Sequence, residues 1–245
     1  MQKIAIIIPC FNEASRLSVS KIHSFLKQNP DVNICFVNDG SSDATGEVID
    51  NAMSVCPDQI KTLHLDHNSG KAEAIRQGML KEILCEDFQW LGYWDADLAT
   101  PLEEINHLLE NANEPLKLLM CSRVKRLGAM IDRQPYRHIL GRIMATMISR
   151  LLKLPVYDTQ CGAKLIRREE IEHLFSDEFL ARWLFDVEII ARIQQKYSKE
   201  NTYRHLLEVP VRKWEDVPGS KLKFKHMFFS LIEIARINWK YNIQS

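Results

Sequence analysis

The feature that most constrains this chain is an alternation in its first half. Short apolar runs rich in β-branched residues recur at 3–9 (KIAIIIP), 33–39 (NICFVND), 60–66 (IKTLHLD), 90–95 (WLGYWD) and 116–122 (LKLLMCS). Helix-like stretches lie between them, at 41–56 and 70–84. Alternation at this spacing predicts an α/β fold with a mostly parallel sheet flanked by helices. Thr100, Pro101 and Glu103 have the order of a capping box, a Thr N-cap, a Pro at the first helical position and a Glu at the third, so a helix is predicted to begin there. No internal repeat, low-complexity segment or Gly/Ser linker interrupts the chain. One domain over residues 1–245 is therefore expected, with elaborations after about residue 123.

With 245 residues, 46% of them apolar and 26% charged, the chain can bury a sizeable core. Lys plus Arg equal Asp plus Glu at 32 each, so global charge gives no reason to expect a nucleic-acid partner. The six cysteines, Cys10, Cys35, Cys56, Cys85, Cys121 and Cys161, are scattered without a CxxC. They read as reduced thiols of a cytosolic chain. The run Ile4 to Ile8 is too short for a signal peptide, and no stretch reaches the ~20 apolar residues that span a bilayer. A soluble or peripheral protein is expected.

In an open parallel sheet, ligands bind beyond the carboxyl ends of the strands. Asn12 and Glu13 follow the first predicted strand, Asp39 ends the second, and Asp95 and Asp97 follow the fourth, so one crevice can collect them. Two aspartates at i and i+2 in a turn can offer hard oxygens to Mg²⁺ or Mn²⁺, which take one or two carboxylates and complete their shells with substrate phosphates. A DxD tripeptide by itself also fits a plain turn, as does Asp39-Gly40-Ser41; it is their joint occurrence at successive strand ends that points to a site. There is no P-loop and no GxGxxG after the first strand, which disfavours Walker-type kinases and standard dinucleotide enzymes. His64 and His67 lack an HExxH pattern and read as strand-end or loop residues.

The segments IIIPCFNEA, FVNDGSSDAT, NSGKAEAIRQG and WDADLATP, in this order, resemble family 2 glycosyltransferases of the GT-A fold. In the second half DTQCGAKLIRR, ARWLFDVEII and EVPVRKWEDVPGSKL are similar to the dolichyl-phosphate β-glucosyltransferase branch, with polyprenyl-phosphate mannosyltransferases as near relatives. The resemblance covers roughly residues 3–235. The chain is expected to do without the N-terminal membrane anchor of the eukaryotic enzymes, and it departs from them in the residues that follow the second Asp of DADLAT.

The resemblance implies a nucleotide-sugar-binding half at 1–122 and an acceptor-side half at 123–245. Pro9, Asn12, Glu13 and Asp39 would hold the base and ribose, and Lys71 would lie near the donor. Asp95 would contact the sugar or ribose side, and Asp97 the metal on the diphosphate. Lys221, in the GSK turn, would belong to a loop closing over the donor. UDP-glucose is the favoured donor, with GDP-mannose the alternative.

A phosphate acceptor needs cations. Arg123, Arg126, Arg133 and Arg137 supply guanidinium forks suited to phosphate, and the family's SR dipeptide singles out Arg123. Arg137 and, from the family's acceptor-side turn, Gln160 join it as expected acceptor contacts. The resemblance places Asp186 of FDVE close to the acceptor with its role open; were the acceptor a hydroxyl, it would be the natural base. Cys161 has no histidine near it in sequence and reads as a packed small residue. The stretch 138–155 sets Ile139, Leu140, Ile143, Met144, Met147, Ile148, Leu151 and Leu152 at helical spacing beside Arg142, Arg150 and Lys153. Such a basic amphipathic helix fits a core or a membrane surface, and the resemblance favours the membrane; 221–237 is a second candidate.

The reading is thus an inverting, metal-dependent transfer of a hexose to polyprenyl or dolichyl phosphate at the cytoplasmic face of a membrane. A soluble family 2 enzyme acting on a hydroxyl of a polysaccharide precursor is the alternative. A nucleotide-sugar-binding protein without catalysis is a further one.

Overall fold

The first apolar run becomes β1 (Ile4–Cys10), the central strand of the sheet. A computed structural model of the chain describes residues 2–84, 88–132, 135–217, 224–241 and 243, without the side chains of 135–138 and 224–229. β1 carries apolar residues on both faces, with Ile4, Ile6 and Ile8 in one core and Ala5 and Ile7 in the other. A strand covered on both sides has no polar face to show, hence the unbroken run. Each fully buried isoleucine contributes about 1.5–3 kcal/mol.

The other first-half runs form β2 (Val32–Asp39), β3 (Ile60–Leu65), β4 (Trp90–Trp94) and β5 (Leu118–Ser122). β3, β2, β1 and β4 pair in parallel. The sheet runs β3-β2-β1-β4-β7-β5-β8, where β7 (Ala163–Arg167) and β8 (Leu206–Pro210) come from the second half. β7 lies antiparallel between β4 and β5. The fifth run is thus a strand that does not touch the fourth. The two short strands β6 (Met130–Asp132) and β9 (Lys213–Glu215) make a separate pair.

Helices cover both faces. Against one face pack α3 (Lys71–Ile83), α5 (Pro135–Leu152), α6 (Arg168–Phe175), α7 (Phe185–Tyr197) and α9 (Phe224–Tyr241), through residues such as Ile75, Ile148, Ile171, Ile189 and Ile237. Against the other pack α1 (Val19–Gln28), α2 (Thr45–Val55) and α4 (Glu104–Glu110), through Phe25, Ile49 and Ile105. The short α8 (Lys199–Thr202) leads into β8.

The capping box does not form. Regular helix begins at Glu104, residues 101–103 make only single-turn bonds such as Glu104 N to Pro101 O, 3.1 Å, and no side chain caps α4. Thr100 is instead drawn into the core. Its carbonyl accepts a bond from Trp94 Nε1, 2.8 Å, and its hydroxyl lies 3.6 Å from Cys161 Sγ. That tertiary contact outweighs the local capping preference and ties the segment after β4 to the turn before β7.

The predicted stripe of α5 is divided. Ile148, Leu151 and Leu152 are core residues, whereas Ile139, Ile143 and Met147 are exposed along one side. Leu231, Ile232 and Trp239 of α9 are exposed as well. Among the described residues no helix is long and apolar enough to cross a membrane.

Candidate active site

Three loops at the carboxyl ends of β1, β2 and β4 are joined by side-chain bonds to backbone. After β1, Asn12 adopts a left-handed backbone (φ 54°), its N–H donates to Ser41 Oγ at 3.1 Å, and its Oδ1 accepts from Ser42 N at 2.9 Å. Glu13 N donates to Thr45 Oγ1 at 2.8 Å. Asp43 bridges the two loops, accepting from Thr45 N at 3.0 Å and from Ala14 N at 3.3 Å. A short carboxylate just ahead of α2 satisfies donors that the first helical turn leaves open.

Asp39 performs the same service for the next loop. Its Oδ1 accepts from Ser69 N at 2.7 Å, and its Oδ2 from Gly70 N at 2.9 Å and Asn68 Nδ2 at 3.1 Å. The residue is only 2% exposed. In this structure both Asp39 oxygens set the entry to α3. Gly40 follows with φ +61°, and a Cβ there would lie 2.4 Å from the His67 carbonyl carbon. Only glycine lets β2 end so close to that loop.

The entry to α3 delivers Lys71, whose Nζ lies 2.5 Å from Asp95 Oδ1. Asp95 also depends on the turn before β7. Its N–H donates to Gly162 O, and a Cβ on Gly162 would fall 1.9 Å from Asp95 Oδ2. Gly162 is thus the surface against which this carboxylate rests. Asp97 Oδ1 accepts from Ala99 N at 3.1 Å, and Asp97 Oδ2 accepts from Arg16 Nη2 at 3.0 Å. Arg16 Nε in turn lies 3.3 Å from Glu13 Oε2.

The side chains of Asp95 and Lys71 are each 39% exposed and that of Asp97 20%, so this cluster opens to solvent. Burial, and then the charge of Asp95, raise the Asp97 carboxyl above the usual carboxylate range. Burial opposes the charge on Lys71, but the carboxylates of Asp95 and Asp186 prevail and hold its ammonium above the ordinary value.

The turn before β7 is built differently. Arg123, at the end of β5, forks onto Asp158 with Nε to Oδ2 at 2.7 Å and Nη2 to Oδ1 at 2.8 Å. Asp158 N and Tyr157 N donate to the Glu208 carboxylate, each at 2.7 Å. The planar donor pair of Arg123 is thus already engaged by a carboxylate in this structure. Burial would lower the Arg123 pKa, but Asp158 raises it. Gln160 sits in this turn with its N–H 3.3 Å from Asp158 Oδ1, and its Nε2 is buried without a partner among the described residues.

Asp186, in the first turn of α7, is 4% exposed and accepts from Lys164 Nζ at 2.5 Å and from the Tyr93 hydroxyl. Lys164 is fully buried, and its remaining bonds go to the carbonyls of Thr159 and Cys161. A base for a hydroxyl acceptor needs access to it, so this burial goes against that role. Cys161 is buried, its thiol pushed up to about 11 mainly by burial, which suits packing rather than nucleophilic chemistry. His64 lies in β3 and bonds Asp50.

Pro9 lies half-buried at the end of β1. Lys221 and Arg133 lie outside the described residues, and so does the side chain of Arg137. Arg16, Lys164 and Glu208 are the interacting residues that the sequence reading missed. The one available signal was Lys164, a lysine inside the otherwise apolar β7 run.

The chain matches the glycosyl transferase family 2 pattern over residues 5–175. It belongs to that family. Within the family it is 30% identical to a dolichyl-phosphate beta-glucosyltransferase of Trichomonas vaginalis, over 94% of this chain and 69% of the relative. It is 28% identical to the dolichyl-phosphate beta-glucosyltransferase of Dictyostelium discoideum, over 97% and 74%, and 29% identical to that of Saccharomyces cerevisiae, over 89% and 69%. Among solved structures, glucosyl-3-phosphoglycerate synthase from Mycobacterium tuberculosis in complex with Mn²⁺, uridine-diphosphate and phosphoglyceric acid superposes with a TM-score of 0.67 at 15% identity, covering 100% of this chain and 80% of that one. The mannosyltransferase from Pyrobaculum calidifontis in complex with GDP-Man and Mn²⁺ gives 0.66 at 13% identity, covering 100% and 65%. These likenesses show the GT-A fold, a glycosyltransferase architecture.

Proposed function

We propose that this chain transfers a hexose, glucose in first place and mannose as the alternative, from a nucleotide sugar to polyprenyl phosphate with inversion at the anomeric carbon. The observation that carries the reading is the solvent-open pair Asp95 and Asp97 beyond β4, facing Lys71 and Arg16, in a family 2 chain whose relatives are named dolichyl-phosphate beta-glucosyltransferases. Residues 1–122 supply the donor half and residues 123–245 the acceptor half.

Mg²⁺ or Mn²⁺ suits this donor set. Asp97 offers a hard oxygen whose pKa is raised by burial and by a like charge, a situation that a divalent cation relieves. The Mn²⁺ in the two superposed glycosyltransferases supports the same choice. Asp97 would hold the cation, which supplies Lewis-acid stabilisation of a departing diphosphate. Asp95, braced by Lys71 and Gly162, orients the sugar side of the donor. Glu13, Asn12 and Pro9 line the nucleotide side, with Asp39 setting the loop, and Lys221 is carried over from the family resemblance.

On the other side an acceptor phosphate oxygen forms the new bond to the anomeric carbon while the bond to the nucleoside diphosphate breaks. A phosphate monoester with its second pKa near about 6 is already largely dianionic and needs no strong base. The buried Asp186 is consistent with that. Gln160, Arg137 and the fork of Arg123 border the acceptor phosphate in this reading. The exposed Ile139, Ile143 and Met147 of α5 and Trp239 of α9 support peripheral contact with a membrane, on its cytoplasmic face.

The test is transfer of radiolabelled sugar into an organic-extractable lipid, with UDP-glucose and GDP-mannose in parallel, Mg²⁺ or Mn²⁺, and short-chain polyprenyl phosphate. Metal-dependent labelling that is lost in Asp97→Asn is expected. Metal-dependent binding of a nucleotide sugar with no lipid product would shift the acceptor to a hydroxyl.

A further inference from the structure

One group at the donor site has no role in the reaction. The proposed reaction assigns no part to Arg16, yet its Nη2 lies 3.0 Å from Asp97 Oδ2 and its Nε 3.3 Å from Glu13 Oε2. The carboxylate it holds is the one assigned to the cation. A guanidinium and a divalent ion cannot both take the same oxygen at full strength, since like charges at that separation repel.

The local charge balance sets the outcome of this competition. Three carboxylates, Glu13, Asp95 and Asp97, face two cations, Arg16 and Lys71, leaving one net negative charge. A divalent cation arriving alone turns that balance positive. A cation arriving with the doubly negative diphosphate of a nucleotide sugar leaves it unchanged. Glu13 gives Arg16 a second carboxylate to remain on when Asp97 changes partner, so the exchange need not strand a buried charge.

We propose that Arg16 is an internal counter-ion that competes with the divalent cation for Asp97 and thereby makes cation binding depend on the donor's diphosphate. The inference rests on the reading of Asp97 as the metal-side carboxylate. Arg16 is a positioning residue in this scheme and touches no reacting atom. Its consequence is an order of events in which the bare cation is held weakly, and the nucleotide sugar and metal enter as a neutral pair.

The experiment is a Mn²⁺ titration followed by the electron paramagnetic resonance of the free ion, on the purified full chain with and without UDP. Wild type, Arg16→Gln, Arg16→Met and Arg16→Lys are compared, with thermal melts identifying the folded variants; two neutral replacements guard against one failing to fold. Removing one positive charge beside the cation should tighten binding of Mn²⁺ alone by about tenfold, and the further gain on adding UDP should shrink. Arg16→Lys, which keeps the charge, should stay close to wild type. A damaged fold would weaken binding, so tightening is an outcome that mere structural loss does not produce. If wild type binds Mn²⁺ with UDP but the folded neutral variants bind Mn²⁺ alone no more tightly than wild type, the role of Arg16 is overturned while the metal reading stands. If wild type binds no Mn²⁺ even with UDP, both are overturned.

Discussion

Asp95 with Lys71 and Asp97 with Arg16 on one side of the crevice, and Asp158 with Arg123 and Asp186 with Lys164 on the other, are all carboxylate–cation pairs, but they sit in different surroundings. The Asp95–Lys71 pair is open to solvent, with both side chains 39% exposed, and the Asp97–Arg16 pair is half-buried, at 20% and 21%. The latter two are largely buried and locked, Asp158 and its turn by the Glu208 carboxylate and Lys164 by two carbonyls. Breaking a buried pair strands a charge at a cost of several kcal/mol, whereas an exposed pair is worth about 0–1 kcal/mol and readily changes partner. Identical side-chain chemistry thus sits where partners can exchange beyond β4 and is locked into a scaffold beside β5 and β7.

The strongest way to break this contrast is Lys164→Met, which leaves the Asp186 carboxylate buried without its cation. Loss of about 3–5 kcal/mol of unfolding free energy is expected in a urea titration, and Lys164→Met with Asp186→Asn together should recover part of it. A loss under 1 kcal/mol would mean that the pair is not scaffolding. Asp97→Asn tests the other side. Turnover should fall about 100- to 1000-fold, through the lost cation, in the lipid-labelling assay, with little change in the urea midpoint, because Arg16 keeps Glu13 as a partner.

Arg123→Lys sharpens the comparison at the acceptor edge. One of two fork bonds is lost, so unfolding free energy should fall by about 1–2 kcal/mol. An unchanged urea curve with a raised KM for polyprenyl phosphate would instead give Arg123 to the acceptor.

The contrast also explains how far the sequence could be read. The strands were legible because β1, β2, β4 and β5 bury both faces and so carry continuous apolar runs. The convergence of Asn12, Glu13, Asp39, Asp95 and Asp97 on one crevice follows from where parallel strands end. What was not legible is pairing across long separations. Nothing local to Thr100 announces Cys161, nothing near Arg123 announces Asp158, and the insertion of β7 between β4 and β5 depends on residues some 70 positions beyond β4. Arg16 was overlooked for the same reason, since its partner Asp97 lies 81 positions away. Charge type could be read from the chain, but burial, which decides whether a charge exchanges or scaffolds, is a property of the assembled fold.

The smallest expected effect comes from applying the same distinction to apolar groups. Along α5, Ile148, Leu151 and Leu152 belong to the core, while Ile143 and Met147, one turn apart, face outward. Replacing the exposed pair, Ile143→Ser with Met147→Ser, should change unfolding free energy by no more than about 0.5 kcal/mol, as is usual at surfaces. If that face meets a bilayer, the same change removes apolar area from the contact, and each side chain is worth at most about 1.5–3 kcal/mol when fully buried. Partial insertion therefore predicts a several-fold weaker association with sedimented phospholipid vesicles, and a raised KM for long-chain but not for short-chain polyprenyl phosphate. Unchanged vesicle binding would mean that this side of α5 is exposed without a membrane role, and the outward apolar residues of α9, Trp239 first, would become the surface to test.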